Sequence, residues 1–381
     1  MKLACVAPAY PYRGGIAHFG ARLARHLALR HSILYINFSR LYPGILFPGK
    51  TQFDNSASPL DFSTERIVDS IWPPTWKRAG ARIRAWGADA VIFHWWHPFF
   101  APAYRSIARR VGSGTAILAI CHNVAPHEYS RLQEYLAAAA LGRMNGVVLH
   151  ARSEEERFRE LVPHKPYITL FHPVYDIFPG ERLPMSVARS LLGFEPQDRI
   201  VLYFGLIRPY KGVDILLAAA KLLGDIPNLK IVIVGEIYSQ RELIHAMALS
   251  APNRMVTMVD HYIPNEEVAT WFRVADLVVL PYRSSTQSGV VPIAYRCQRP
   301  VIVTRVGGLP DMVEDGVSGY LVEPENPQKL AAAIRRHFIE LGNPDLSEGI
   351  EQMNHRLSWD NYSSRLETFI DQLIAARYQV G

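Results

Sequence analysis

Short apolar runs alternate with helix-period segments from one end of this chain to the other, and that alternation decides the fold class. An apolar run bounded by Asp, Gly or Pro and only a few residues long is too short for a core helix and reads as a buried strand. Such runs lie at 2–7, 33–37, 90–93, 116–120, 146–149 and 167–171, then at 200–204, 230–234, 255–259, 277–280, 301–303 and 320–322. Strand and helix in regular succession predict parallel sheets with helices on both faces. An α/β protein in two similar halves is therefore expected, without repeats or low-complexity tracts. Between the halves, 176–196 interrupts both periodicities with Phe178-Pro179-Gly180 and Leu183-Pro184. Domains are placed at 1–178 and 179–358, and one more helical pattern, 359–381, follows the second sheet.

At 381 residues and 49% hydrophobic, the chain can fill two cores. No stretch approaches the roughly 20 uninterrupted apolar residues of a membrane span. The opening Met1-Lys2-Leu3-Ala4-Cys5-Val6 runs into Pro8 and Pro11, a strand rather than a signal peptide, so a cytoplasmic protein is expected. Cys5, Cys121 and Cys297 each lie in or beside an apolar segment and read as buried thiols, with no metal-ligand spacing. The charge is uneven: residues 1–178 hold 21 Lys plus Arg against 12 Asp plus Glu, and the remainder 20 against 23. A basic first half suits an anionic acceptor, an acidic membrane leaflet or nucleic acid, and an ordinary solvated surface explains it equally.

In the first half, Arg13-Gly14-Gly15 follows the first strand and opens a helix, where glycine lets backbone approach a ligand closely or simply makes the turn. No G-x-G-x-x-G fingerprint is present, and Asn37-Phe38-Ser39 offers no ribose-binding acid. The segment 41–70 reads as a long irregular insertion, and loops of that length in compact domains are often functional. A helix over 72–86 sets Trp76, Ile83 and Trp86 among Lys77, Arg78, Arg82 and Arg84, compatible with core packing or with a membrane surface. His94-Trp95-Trp96-His97-Pro98 follows the third strand, and its histidines are read as a cleft wall on the acceptor side. His122, with His127 and Glu128 behind it, ends the fourth strand, where open α/β sheets bind ligands. Ser153 and Glu156 read as a capping box.

In the second half, Gly205-Leu206-Ile207-Arg208-Pro209-Tyr210-Lys211-Gly212 follows a strand, and two cations at a strand's carboxyl end suit a diphosphate. Gly235-Glu236 ends the next strand and His261-Tyr262 the one after. Beyond the strand 277–280, Ser284-Ser285-Thr286-Gln287-Ser288-Gly289-Val290 opens a helix whose first amides would favour an anion.

Two stretches carry a family resemblance. Pro300-Val301-Ile302-Val303, Gly307-Gly308-Leu309-Pro310-Asp311 and Gly316-x-x-Gly319-Tyr320-Leu321-Val322 resemble the C-terminal signature of the retaining GT-B glycosyltransferases of group 1 type, glycosyltransferase family four. Lys211-Gly212-x-Asp214-x-Leu216-Leu217 resembles the same family. The resemblance implies two Rossmann-like domains facing across a cleft, an N-terminal acceptor domain joined by the helix 359–381 and a C-terminal donor domain. It implies metal-independent, retaining transfer from a nucleotide-sugar to a hydroxyl acceptor, in cell-surface polysaccharide or glycolipid synthesis, without a cofactor. The partners it implies are a nucleotide-sugar and a sugar acceptor; the basic first half adds the expectation of a lipid-linked glycan acceptor and contact at an anionic inner membrane face, and no nucleic acid is expected. Its catalytic residues would be His122, Arg208 and Lys211. Donor contacts would come from Gly14, Gly15, Gly205, Gly235, Glu236, Tyr262, Ser285, Thr286, Gln287, Ser288, Gly289 and Val290, and acceptor contacts from Arg13, His94, His97 and His127. The family's usual glutamate pair would fall on Ser285 and Ile293, and the chain resembles the subset with a Gln-Ser-Gly-Val-Val loop there. The missing glutamates keep open a catalytically impaired nucleotide-sugar-binding partner subunit, and the fold keeps open a sugar-nucleotide epimerase.

Overall fold

The computed structural model describes residues 1–44, 51–54, 62–124, 130–173, 183–285 and 288–378. They form two compact units. The first contains β1 (Lys2–Val6), α1 (Gly15–Ala28), β2 (Ser32–Arg40), β3 (Glu65–Asp69), α2 (Pro73–Trp86), β4 (Ala90–Trp95), α3 (Ala101–Val111), β5 (Ala116–Cys121), α4 (Arg131–Leu141), β6 (Gly146–Leu149), α5 (Glu155–Leu161) and β7 (Tyr167–Thr169). The second contains α6 (Met185–Leu192), β8 (Arg199–Phe204), α7 (Val213–Ala220), β9 (Leu229–Val234), α8 (Arg241–Leu249), β10 (Val256–Val259), α9 (Asn265–Val274), β11 (Leu277–Leu280), α10 (Val290–Arg296), β12 (Val301–Thr304), β13 (Gly319–Val322), α11 (Pro327–Arg335) and α12 (Ser347–Arg356). The last helix, α13 (Trp359–Tyr378), belongs to the first unit.

Both sheets are parallel throughout, in the orders β3-β2-β1-β4-β5-β6-β7 and β10-β9-β8-β11-β12-β13. In each, the order reverses beside the unit's first strand, between β1 and β4 and between β8 and β11. Loops leaving the carboxyl ends diverge at such a point and open a crevice for a ligand. Strands β4, β5, β6, β11 and β12 are buried along their length, because helices cover both faces. Among the described residues, no helix is long and apolar enough to cross a membrane.

Three expectations need correction. The insertion 41–70 is not wholly irregular: β3 pairs with β2 at the sheet edge, with its register shifted around Phe38. The division between the units falls between Phe171 and His172 rather than at 178, and Phe178-Pro179-Gly180 lies outside the described residues. Part of the expected linker is α6, whose buried Arg189 donates to Asp276 at 2.8 Å and to the Val274 carbonyl at 3.2 Å. Nor is Ser153 a helix cap, since it sits inside a 3-10 turn and α5 starts without a side-chain cap. The helix over 72–86 packs Ala79, Gly80 and Ile83 inward, while Trp76 donates to the Asp69 carbonyl at 2.6 Å.

Helix α13 closes one face of the first sheet. Its Trp359, Tyr362, Leu366, Phe369, Ile370 and Leu373 join the core built on Leu3, Cys5, Phe19, Leu118 and Val148. The fit is tight at Gly146, where an added Cβ would come within 2.7 Å of Phe369 and Leu373. Phe369→Ala is expected to lower the stability of the first unit by about 3 kcal/mol, because the cavity cannot collapse against a sheet. A urea titration followed by a probe in that unit checks it, and an unchanged midpoint would place the helix elsewhere.

Candidate functional site

Two cations of the second unit, Arg208 and Lys211, have no anion partner among the described residues. Arg208 precedes, and Lys211 ends, a 3-10 turn, Pro209–Lys211, just past the carboxyl end of β8. Neither side chain makes an ion pair or hydrogen bond with the described residues. Their neighbours are aromatic faces: Arg208 Cζ lies 4.7 Å from the Tyr238 ring centroid and Lys211 Nζ 5.4 Å from that of Tyr282. The Nε of Arg208 is buried without a partner. Burial pushes the Lys211 ammonium below its ordinary pKa, and the Arg208 cation pushes it further the same way. Cation–π contact compensates only partly for lost water, so an anion arriving here would relieve both groups.

Local geometry forces this arrangement. Gly212 has φ +65°, and a Cβ there would lie 2.0 Å from the Pro281 carbonyl. Only glycine lets the turn after β8 press against the end of β11. Gly235, at φ +147°, is equally close to the Gly205 carbonyl, so the loops after β8 and β9 run together and pair at Ile207 and Ile237. A bidentate ion pair locks the turn from the β11 side: Arg283 donates to both Asp214 oxygens at 2.9 and 2.6 Å and to the Pro209 carbonyl at 2.6 Å. The Arg283 guanidinium holds the Asp214 carboxyl below its ordinary range. Tyr238, Tyr282, Arg283 and this role of Asp214 escaped the sequence analysis. Asp214 was visible in the Lys-Gly-x-Asp motif, but its partner lies far along the chain.

Other expected donor residues cluster unevenly. Gly205 adjoins both Lys211 and Val290, since a Cβ on it would meet Nζ at 3.3 Å and the valine methyl at 4.0 Å. Ser288 is buried and accepts from the Val290 amide at 3.2 Å, Gly289 precedes α10, and Ser285 is buried. Ile293, where a glutamate would stand in the resembled family, packs into the core. Glu236 lends its carbonyl to the Ile207 amide at 2.9 Å. Tyr262, 39% exposed, follows the edge strand β10, two strands from β8. Thr286 and Gln287 lie outside the described residues.

In the first unit, Gly14, at φ +110°, precedes α1 and Gly15 begins it. Arg13 is held by its amide to the Gln52 carbonyl at 3.0 Å, and Phe53 stacks on Tyr12. His97 accepts from the Phe99 amide at 3.1 Å and caps the turn that leads into α3. His94 is not on a cleft wall: it is 0% exposed inside β4, and its Nδ1 lies 3.0 Å from Nε2 of His122. His122 follows β5, buried against Phe19 and His150, and His150 meets the Tyr362 hydroxyl at 3.1 Å. His127 lies outside the described residues. Among the described residues, no group of three or more His, Cys, Asp or Glu is placed to hold a metal ion.

Burial lowers His94 from 6.5 to about 3 and holds it neutral. Between those values the unfolded chain binds a proton that the native state refuses, so stability falls as pH drops through that window and is unaffected above it. Replacing the titrating ring by His94→Asn should flatten the dependence by up to ~1.4 kcal/mol per pH unit between pH 6 and 4. Denaturant titrations across that range check it, and parallel curves for the two proteins would refute it.

Comparison with known proteins adds three findings. Residues 198–338 match the family described as Glycosyl transferases group 1. A D-inositol 3-phosphate glycosyltransferase of Thermobispora bispora is 30% identical over 225 residues, 55% of this chain and 52% of that protein. One of Mycobacterium tuberculosis is 31% identical over 217 residues, 52% of this chain and 42% of its own. The chain thus spans about half the length of such relatives or less. A sucrose-phosphate synthase from Thermosynechococcus elongatus superposes with TM-score 0.73 at 19% identity, over 98% of this chain and 99% of the other. Anabaena HepE in complex with UDP superposes with TM-score 0.74 at 16% identity, over 98% and 100%. These likenesses give the fold: two Rossmann-like units of the GT-B class.

Proposed function

We propose that this chain is a group 1 glycosyltransferase that moves a sugar from a nucleoside-diphosphate sugar to a hydroxyl acceptor with retention. The observation that carries the proposal is the pair Arg208 and Lys211, partly buried without counter-ions among the described residues at the reversal point of the second sheet, inside the matched residues 198–338. A diphosphate fits them because its charge is what they lack. When the bond from the sugar's anomeric carbon to the leaving phosphate oxygen breaks, negative charge grows on that phosphate. The two cations then bind the transition state more tightly than the bound donor, which is how binding becomes catalysis.

No carboxylate stands at Ser285 or Ile293 to serve as nucleophile. The reading is therefore a same-face displacement: the anomeric carbon gains the acceptor oxygen as it loses the phosphate oxygen, and the departing phosphate takes the acceptor's proton. In this scheme Arg208 and Lys211 supply the positive charge that a metal ion would otherwise bring. Ser288, Gly289 and the loop of the Gln-Ser-Gly-Val-Val subset are assigned to the donor, as are Gly205, Gly235, Glu236 and Tyr262. UDP is the first base to test, since HepE is described in complex with UDP and with UDP-glucose.

Acceptor binding is assigned to the first unit, with His122 catalytic and Arg13 and His97 on the acceptor side. Its basic charge, with no acid before Asp54, favours an anionic acceptor. A lipid-linked glycan at the inner membrane face is the proposed class, in cell-surface polysaccharide or glycolipid synthesis, and the relatives' names add D-inositol 3-phosphate as a candidate. A partner-subunit reading draws on the same absent glutamates and predicts donor binding without transfer.

Calorimetric titration with UDP, GDP and ADP, without added metal, tests the proposal. One nucleotide should bind, and Lys211→Ala should weaken it by about tenfold to a hundredfold, the loss of one charge-assisted contact. Equal binding to the variant would remove the diphosphate from this site. Binding without transfer to any acceptor would favour the partner subunit, and turnover without acceptor an epimerase.

A further inference from the structure

The contact between His94 and His122 joins two imidazoles across one hydrogen bond. Their nitrogens are 3.0 Å apart, so one ring donates and the other accepts. His94 sits wholly inside β4, and its other ring nitrogen, Nε2, is buried without any hydrogen-bond partner. Two tautomers satisfy the contact. If His122 donated, a proton on His94 Nε2 would be a buried N–H with no acceptor. If His94 donates from Nδ1, the buried Nε2 keeps only an unused lone pair. Orphaned buried N–H groups are the rarer of the two in native proteins, so the second arrangement prevails.

The surroundings hold both rings in place. Phe19 lies edge-on to His122 at 5.0 Å and to His94 at 5.6 Å between centroids, and His150 meets His122 edge-on at 5.1 Å. The His94 carbonyl accepts from Tyr104 Oη at 2.8 Å, and the His122 amide donates to the Trp95 carbonyl at 2.8 Å. Neither ring can turn without displacing packed neighbours.

We infer that His94 is a positioning residue for His122: its Nδ1–H donates to His122 Nε2, which fixes the ring's orientation and confines the His122 proton to Nδ1. His122 is then barred from acting as a base through Nε2, whose lone pair His94 occupies. The inference rests on the proposed role of His122 in sugar transfer, yet the tautomer is readable without turnover.

The test is long-range proton–nitrogen NMR on the full chain labelled with ¹⁵N-histidine, which shows which ring nitrogen carries each proton. His94 and His122 should both read as Nδ1–H. His94→Asn, which keeps an N–H near the position of Nδ1, should preserve the His122 tautomer. His94→Leu should release it toward Nε2–H and lower kcat about tenfold to a hundredfold, the usual cost of losing an orienting partner, with donor KM changed less than twofold or so. Asn should recover most of that loss. A wild-type His122 protonated on Nε2 overturns the inference whatever the activity, and so does an unchanged kcat once Leu has altered the tautomer. Should the Leu variant fail to fold, the wild-type and Asn spectra still decide. If the tautomers are as described but His122→Ala transfers sugar normally, the catalytic assignment of His122 falls and the positioning contact stands.

Discussion

The second unit is organised around two partly buried positive charges that have no anion partner among the described residues. Sequences seldom place a lysine and an arginine that way, because each loses hydration that the faces of Tyr282 and Tyr238 only partly replace. What keeps them there is backbone proximity. Gly212 lets the turn after β8 lie against Pro281, Gly235 lets the next loop lie against Gly205, and Arg283 fastens that turn to Asp214. The result is a turn that offers Arg208 and Lys211 to negative charge.

The first unit buries a cluster of histidines. Its strand order reverses between β1 and β4, so the glycine turn at Gly14, the end of β4 and the end of β5 leave the sheet from neighbouring strands. His94, His122 and His150 then gather around Phe19, and Tyr362 brings α13 into the same cluster. Burial holds the His94 ring neutral, and its hydrogen bond to His122 satisfies one of its two nitrogens. The terminal helix therefore does more than cover a sheet, since its tyrosine reaches the histidine behind His122.

Much of this was legible from residues alone. Apolar runs bounded by Asp, Gly and Pro located every central strand, because strands buried on both faces leave an uninterrupted signal. Strand β3 was missed because Glu65, Arg66 and Asp69 dilute its apolar character, which an edge strand paired on one side tolerates. Helix α6 was hidden by Leu183-Pro184, which opens it rather than breaking the chain. Arg208 and Lys211 could be picked out by their spacing after a strand. Their aromatic supports and the Asp214–Arg283 pair could not, because those contacts join loops that only the folded sheet brings together. His94 was misplaced because two histidines flanking two tryptophans look like a binding surface, whereas β4 runs on to Trp95 and is buried on both faces.

The central claim is that Arg208 and Lys211 await a diphosphate, and a crystal structure with the tightest-binding nucleoside diphosphate tests it most directly. The account predicts diphosphate oxygens within about 3 Å of Lys211 Nζ and of the Arg208 guanidinium, beside the Gly205 turn. A diphosphate bound elsewhere, with both cations still resting on Tyr282 and Tyr238, would contradict it.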